Sequence, residues 1–242
     1  MKIMGIDTET TGLDVQNDLV VEFGYVLWDT DLAKPIHMVD HLVLADMDKA
    51  KLTEDIHGIT RAEFEEFGYL PQPVFSNLEM FLGLHPVQFV VAHNGAGFDR
   101  PLMDAEYRRH SIPTRRLFEV PWLDTKTDLP WKKAPDSNRL KHCALELGFI
   151  NPFPHRALFD VLTMLRVLSH FNIDEVIALS KIPFATIRAL VSYEDRELAK
   201  KEKFLWEKAG DITYPKCWIK RIRINKLEEE RAKCPFKIAQ LE

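Results

Sequence analysis

The chain has 242 residues, 46% hydrophobic and 10% aromatic, which suits one ordinary domain plus a small appendage and sets two domains as the ceiling. Its formal net charge is −5, but from Ala185 onward 14 Lys and Arg stand against 10 Asp and Glu, leaving 18 against 27 upstream: an acidic body and a basic tail. No apolar run approaches the roughly 20 residues of a membrane-spanning helix, no signal-peptide core precedes Asp7, and three scattered cysteines define neither a disulfide framework nor a zinc site, so a cytoplasmic protein without membrane contact is expected.

In chain order, residues 2–7, 19–28 and 36–44 read as three strands bounded by Asp, Gly and Pro. Thr60 and Glu63 form a T-x-x-E capping box, and apolar residues at Val74, Leu78, Phe81 and Leu82 recur at helical spacing. Phe89 to Ala92 is a short, continuous apolar run, as expected of a strand covered on both faces. The loop from His93 to Gly97 leads into a helix with Pro101 in its first turn and Leu102, Met103 and Tyr107 on its inner face. A further strand is expected near 116–125. A helix follows Ser137, with Gly148 as its stop, and another runs from about 156 to 170. Strands and helices in this order predict a layered α/β domain in which a three-strand meander precedes crossover helices.

Chemistry is concentrated in three segments. In Asp7-Thr8-Glu9 the two acids alternate along a strand, so they share a face while Thr8 points away. Their mutual repulsion is relieved by a cation, and carboxylate oxygens suit Mg²⁺ or Mn²⁺. Asp99 follows the glycine-containing loop, where it is equally placed to cap a helix. His155 and Asp160 are five residues apart, which on a helix turns roughly 140°. They converge only if His155 lies on the loop before the helix, a placement that Pro152 and Pro154 favour.

Taken together, DTETTG, HNGAGFD and HRALFD carry Asp7, Glu9, Asp99, His155 and Asp160 in the order of the DEDDh exonucleases. They resemble the three motifs of the DnaQ-like family, and VVEFGYV and HGIT extend the resemblance across about residues 1–170. The resemblance implies a ribonuclease H-like fold with a mixed five-stranded sheet flanked by helices. It also implies 3′→5′ exonuclease activity by a two-metal mechanism with two Mg²⁺ or Mn²⁺, on a nucleic acid with a free 3′ end, DNA favoured over RNA. Asp7, Glu9, Asp99 and Asp160 would be the metal ligands, with Asp99 acting through water, and His155 the general base. A base must be neutral, so activity rising from mildly acidic to alkaline pH is expected. Similarity to the family further assigns Thr10, Leu13, Asn94 and Phe98 to the terminal nucleotide. A homodimer or a polymerase partner is in keeping with relatives. The competing reading is a non-catalytic nucleic-acid-binding or polymerase-accessory protein, which the presence of all five catalytic residue types disfavours.

These readings divide the chain into an exonuclease domain at 1–175 and a small basic α+β module at 185–242 that binds nucleic acid. Within the module, 185–191 and 217–222 read as strands, 193–206 as a helix, and 226–242 as a helix or tail. Ala199, Lys200, Phe204, Trp206, Lys216 and Trp218 resemble a small module attached to nucleic-acid enzymes. A unit of this size needs large apolar residues, so both tryptophans are expected in its core and the basic strand is expected to contact phosphates.

Overall fold

The first strand continues past its expected end: Thr8, Glu9 and Thr10 stay paired with the second strand, and both threonines are buried. In the computed structural model, which describes residues 1–133, 135–207 and 216–241, β1 (Lys2–Thr10), β2 (Val20–Asp29) and β3 (Lys34–Leu42) form an antiparallel meander. Short helical turns α1 (Met47–Ala50) and α2 (Glu54–His57) precede α3 (Arg61–Phe67) and α4 (Pro71–Leu84). The capping box at Thr60 and Glu63 is formed as expected. β4 (Phe89–Ala92) leads into α5 (Asp99–Arg109), and the one-turn α6 (Arg116–Glu119) precedes β5 (Trp122–Asp124). The expected strand over 116–125 is thus partly helical. α7 (Leu140–Glu146), α8 (Ala157–Leu168) and α9 (Ile173–Ser180) complete the larger of two compact units, Met1–Ser180.

The sheet order is β3-β2-β1-β4-β5, with β4 and β5 parallel to β1. One face packs Met4, Ile6 and Val90 against α4 and α5, and the other packs Ile3, Val26 and Val91 against α7 and α8. This explains why β4 is apolar on both sides. Helix α8 lies close to the sheet because glycines receive it. A Cβ on Gly24 would come within 2.6 Å of the Leu158 backbone nitrogen, and one on Gly5 within 2.8 Å of Val161 and Leu165 side-chain atoms.

In the smaller unit, Lys181–Glu242, strands β6 (Phe184–Leu190), β7 (Leu205–Glu207), β8 (Cys217–Arg223) and β9 (Lys237–Leu241) form an antiparallel sheet in the order β7-β8-β6-β9. Helices α10 (Arg196–Lys201) and α11 (Leu227–Lys233) accompany it. The helix expected over 193–206 ends at Lys201, and Trp206 lies in a strand. Lys203 adopts φ +64°, a left-handed turn that breaks the helix before Phe204 enters the core. The chain end expected as a helix or tail contributes both α11 and an edge strand. Among the described residues, no helix is long and apolar enough to cross a membrane.

Gly24→Ala is expected to push α8 off β2. The added methyl meets backbone, which cannot rotate away, so a loss of about 1–3 kcal/mol is expected from chemical denaturation; an unchanged midpoint would show that the close approach is dispensable.

Candidate active site

Three elements deliver the acids to one edge of the larger sheet. Asp7 and Glu9 end β1 on the face covered by α8, and α8 carries Asp160 in its first turns. Asp99 opens α5, which packs on the opposite face. Helices on both faces therefore place carboxylates at the carboxyl ends of the parallel strands β1 and β4, the position where open α/β sheets form crevices. A cleft of about 430 Å³ lies there, lined by Asp7, Glu9, His155 and Asp160 and by the cations Lys126, Arg139 and Lys141.

His155 is on the loop before α8, as its prolines suggested, with φ +62°. A left-handed conformation is uncommon for a residue with a Cβ. Here it lets the His155 backbone N–H donate to Asp160 Oδ2 at 2.9 Å, while Asn151 Nδ2 donates to Asp160 Oδ1 at 2.8 Å. Glu9, His155 and Asp160 each offer a ligand atom, and these atoms all lie within 4.8 Å of one another. Asp99 caps no helix with its side chain; instead Thr8 Oγ1 donates to Asp99 Oδ1 at 3.0 Å in the interior. Thr8 does point away from Asp7, yet the residue it meets there belongs to the same cluster.

Glu22 was not singled out from the sequence as a site residue, although it stands opposite Glu9 in the sheet register. It is wholly buried and accepts from Arg156 Nε at 2.8 Å and from the Ala157 backbone N–H at 2.8 Å. An anion at a helix amino terminus is favoured by the unpaired N–H groups there. Glu22 thereby holds the start of α8, and so Asp160, against β2. Nothing local in the sequence links residues 134 positions apart.

Burial, and for Asp7 and Glu9 the neighbouring acids as well, leaves these groups reluctant to ionise. Burial, then Asp99, Asp160, Glu9 and Glu22, push the Asp7 carboxyl well above the usual carboxylate range. Burial, with Asp160, Glu22 and Asp99, pushes Glu9 up to about 8. Burial raises Asp99 to about 7 against the opposing Thr8 hydrogen bond, and burial raises Asp160 against the His155 N–H. Four oxygen donors that destabilise one another when charged fit a hard divalent cation, which would turn repulsion into coordination.

The residues expected at the terminal nucleotide do not line this cleft. Thr10 Oγ1 donates to the Gly12 carbonyl at 2.6 Å, forming the turn after β1. Leu13 is 87% exposed just beyond it. Asn94 adopts φ +78°, its amide oxygen accepting from Lys126 Nζ at 2.9 Å, and Phe98 packs partly buried on the core. His93 does line the cleft. Its Nε2 donates to the Asn138 carbonyl at 2.8 Å, so the ring ties two cleft loops together.

The acids thus converge on a mixed five-stranded sheet covered by helices on both faces. The exonuclease (RNase T) family model matches residues 4–168, and the chain belongs to that family. It is 28% identical over 170 residues to the DNA polymerase III PolC-type of Mycoplasma pneumoniae (strain ATCC 29342 / M129 / Subtype 1), covering 69% of this chain but 11% of the polymerase. Among solved structures, E. coli Exonuclease I in complex with a dT13 oligonucleotide superposes with a TM-score of 0.62 at 14% identity, over 98% of this chain and 68% of that one. The nuclease domain of 3′hExo, a DEDDh family member bound to rAMP, gives a TM-score of 0.55 at 16% identity, over 70% and 90%. These structures share the mixed five-stranded fold.

A carboxyl whose pKa is higher in the folded than in the unfolded state keeps its proton longer when folded. Its contribution is therefore fullest below the unfolded pKa near 4 and is lost as pH rises toward 7–8. Without metal, Glu9→Gln should flatten the fall in melting temperature between pH 5 and 8.5. Saturating Mg²⁺ should raise the melting temperature of the native sequence more at pH 8.5 than at pH 5. Calorimetry showing equal shifts at both pH values would contradict a cation among these acids.

Proposed function

We propose that the chain is a 3′→5′ exonuclease that hydrolyses DNA from a free 3′ end. The observation that carries this reading is the convergence of Asp7, Glu9, Asp160 and His155 in one cleft, with buried Asp99 close enough to Asp7 to raise its pKa. Asp7, Glu9 and Asp160 would hold the divalent cations directly, and Asp99 through water. When bound, such cations supply Lewis-acid activation and neutralise charge on the phosphate and the departing oxygen.

His155 is exposed at the cleft, and its imidazole accepts a proton from the attacking water. The new bond joins water oxygen to phosphorus, and the bond to the 3′ oxygen breaks. That oxygen takes up a proton, so the products are a nucleoside monophosphate and a strand one residue shorter with a free 3′-OH. Lys126, Arg139 and Lys141 line the cleft as phosphate contacts. Leu13, an apolar side chain held out in solvent beside the Thr10 turn, would contact the terminal base together with Thr10, Asn94 and Phe98, although none of the four lines the cleft itself.

The preference for DNA is supported by the polymerase relative, which also makes a polymerase partner the first association to test; a homodimer is the other. Three free thiols at Cys143, Cys217 and Cys234 suit a reducing compartment such as the cytoplasm. The smaller unit is proposed as a nucleic-acid-binding module, on the grounds of its basic composition.

The test offers 5′-labelled single- and double-stranded DNA and RNA with and without Mg²⁺, alongside a 3′-blocked strand. A metal-dependent ladder of products shortened from the 3′ end, absent from the blocked strand, is expected, with DNA digested faster than RNA. Asp7→Asn should abolish it, and His155→Ala should lower kcat by roughly 10²–10⁴-fold, the usual worth of a general base. Cutting of circular single strands would indicate an endonuclease instead.

A further inference from the structure

The smaller unit contains a concavity of its own, of about 440 Å³, within the roughly 300–1,000 Å³ typical of small-ligand sites. Tyr193, Trp206 and Trp218 supply its aromatic lining and Arg196, Lys200 and Lys216 its charge, with no carboxylate among the lining residues described. The core of this unit is built without Trp206: Ile187, Ala189, Ala199, Phe204, Ile222 and Cys234 are its buried members. Trp206 instead stands 44% exposed on the edge strand β7, and Tyr193 is 77% exposed. In so small a unit an indole left in water is unexpected, because each large apolar side chain is needed inside.

The rings are held in place. Trp206 is paired with Trp218 in the sheet register, and the two indoles meet edge to face at 5.4 Å and 61°. Trp218 in turn packs on the core. The Arg196 guanidinium lies 4.3 Å from the Tyr193 centroid, with Nη1 donating to the Tyr193 carbonyl, and the Lys200 ammonium lies 5.9 Å from the Trp218 centroid. Glu197 neutralises part of this charge through Lys200 at 2.8 Å. The basic strand β8 is less free: Lys220 is ion-paired with Glu230, and Arg221 and Arg223 lie over Phe184. Trp206 thus departs from the expectation of a core tryptophan, while Lys220 is engaged within the unit by Glu230.

Three cations oppose a cationic guest, and an apolar helix would have to desolvate them. An acidic peptide would meet the charge but leave the flat faces unused. A planar base flanked by phosphates uses both features, since stacking on aromatics and contact with Lys or Arg is how unpaired strands are gripped. We propose that this concavity binds one unpaired nucleotide of a single strand, its base stacked on Trp206 and its phosphates facing Arg196 and Lys216. The proposal rests on the reading that the chain handles nucleic acid, and it adds a second grip confined to the smaller unit.

The test is binding by the full chain in EDTA, where no hydrolysis is expected, followed by anisotropy of labelled oligo(dT), oligo(rU) and a duplex. Trp206→Ala should raise Kd for a single strand roughly five- to hundredfold. Trp206→Phe should restore most of the affinity, and Lys216→Ala should lower the slope of log Kd against log salt by about one. Loss on either single strand supports the site and identifies the sugar it accepts. Unchanged affinity on both, or an equal loss on the duplex, overturns it. Tyr193→Ala, at an exposed position, repeats the test should Trp206→Ala not fold. The two readings fail separately: absent hydrolysis by the intact chain with Mg²⁺ removes the exonuclease reading, and unaltered metal-free affinity of the variants removes this one.

Discussion

Like-charge repulsion among Asp7, Glu9, Asp99 and Asp160 is the constraint around which the larger unit is organised. Two full charges about 4 Å apart repel by about 4 kcal/mol in an effective dielectric of about 20. A domain's whole stability is only about 5–15 kcal/mol. The fold therefore cannot hold every acid ionised without help: burial first raises Asp7, Glu9, Asp99 and Asp160, and for Asp7 and Glu9 the neighbouring acids add to it. The scaffold that keeps them together must be stiff. Its stiffness comes from β1, paired on both sides by β2 and β4, and from helices packed onto each face.

Helix α8 shows how that stiffness is made. Gly5 and Gly24 remove the side chains that would keep it off the sheet, and Glu22 then ties its first residues through Arg156 and the Ala157 N–H. A buried ion pair of this kind adds little net stability over an apolar replacement. Its value lies in direction: it fixes where Asp160 points relative to Glu9. Asp160 is held a second time by the Asn151 amide and the His155 N–H, so its carboxylate is oriented before any ligand arrives. The left-handed backbone at His155 follows from the same requirement, since one residue must present its amide to Asp160 and its imidazole to the cleft.

Much of this was legible locally. Alternation along β1 placed Asp7 and Glu9 together, the Thr60 capping box started α3, and Pro152 and Pro154 kept His155 out of α8. Each of these depends on neighbours within a few residues. What escaped depends on residues far apart. Thr8 meets Asp99 across 91 positions and Glu22 meets Arg156 across 134, and no periodicity encodes such pairings. In the smaller unit the helical pattern of 193–206 was overridden by a single left-handed residue, Lys203, which turned the chain into β7 and carried Trp206 out of the core.

The charge split along the sequence acquires a physical sense from these details. Part of the acidity of the larger unit stands where a cation can neutralise it, and Lys126, Arg139 and Lys141 line the same cleft. A polyanionic strand approaching such a site would be repelled by bare carboxylates and attracted by the surrounding cations, so metal and strand favour each other's binding. The concavity of the smaller unit has no carboxylate among its described lining residues, and Glu197 offsets only part of the charge beside it, through Lys200. Its affinity for a strand would then depend on salt but not on divalent metal, whereas the larger unit's would depend on both. Metal and salt therefore separate the two sites by electrostatics alone, since only one of them is built from carboxylates.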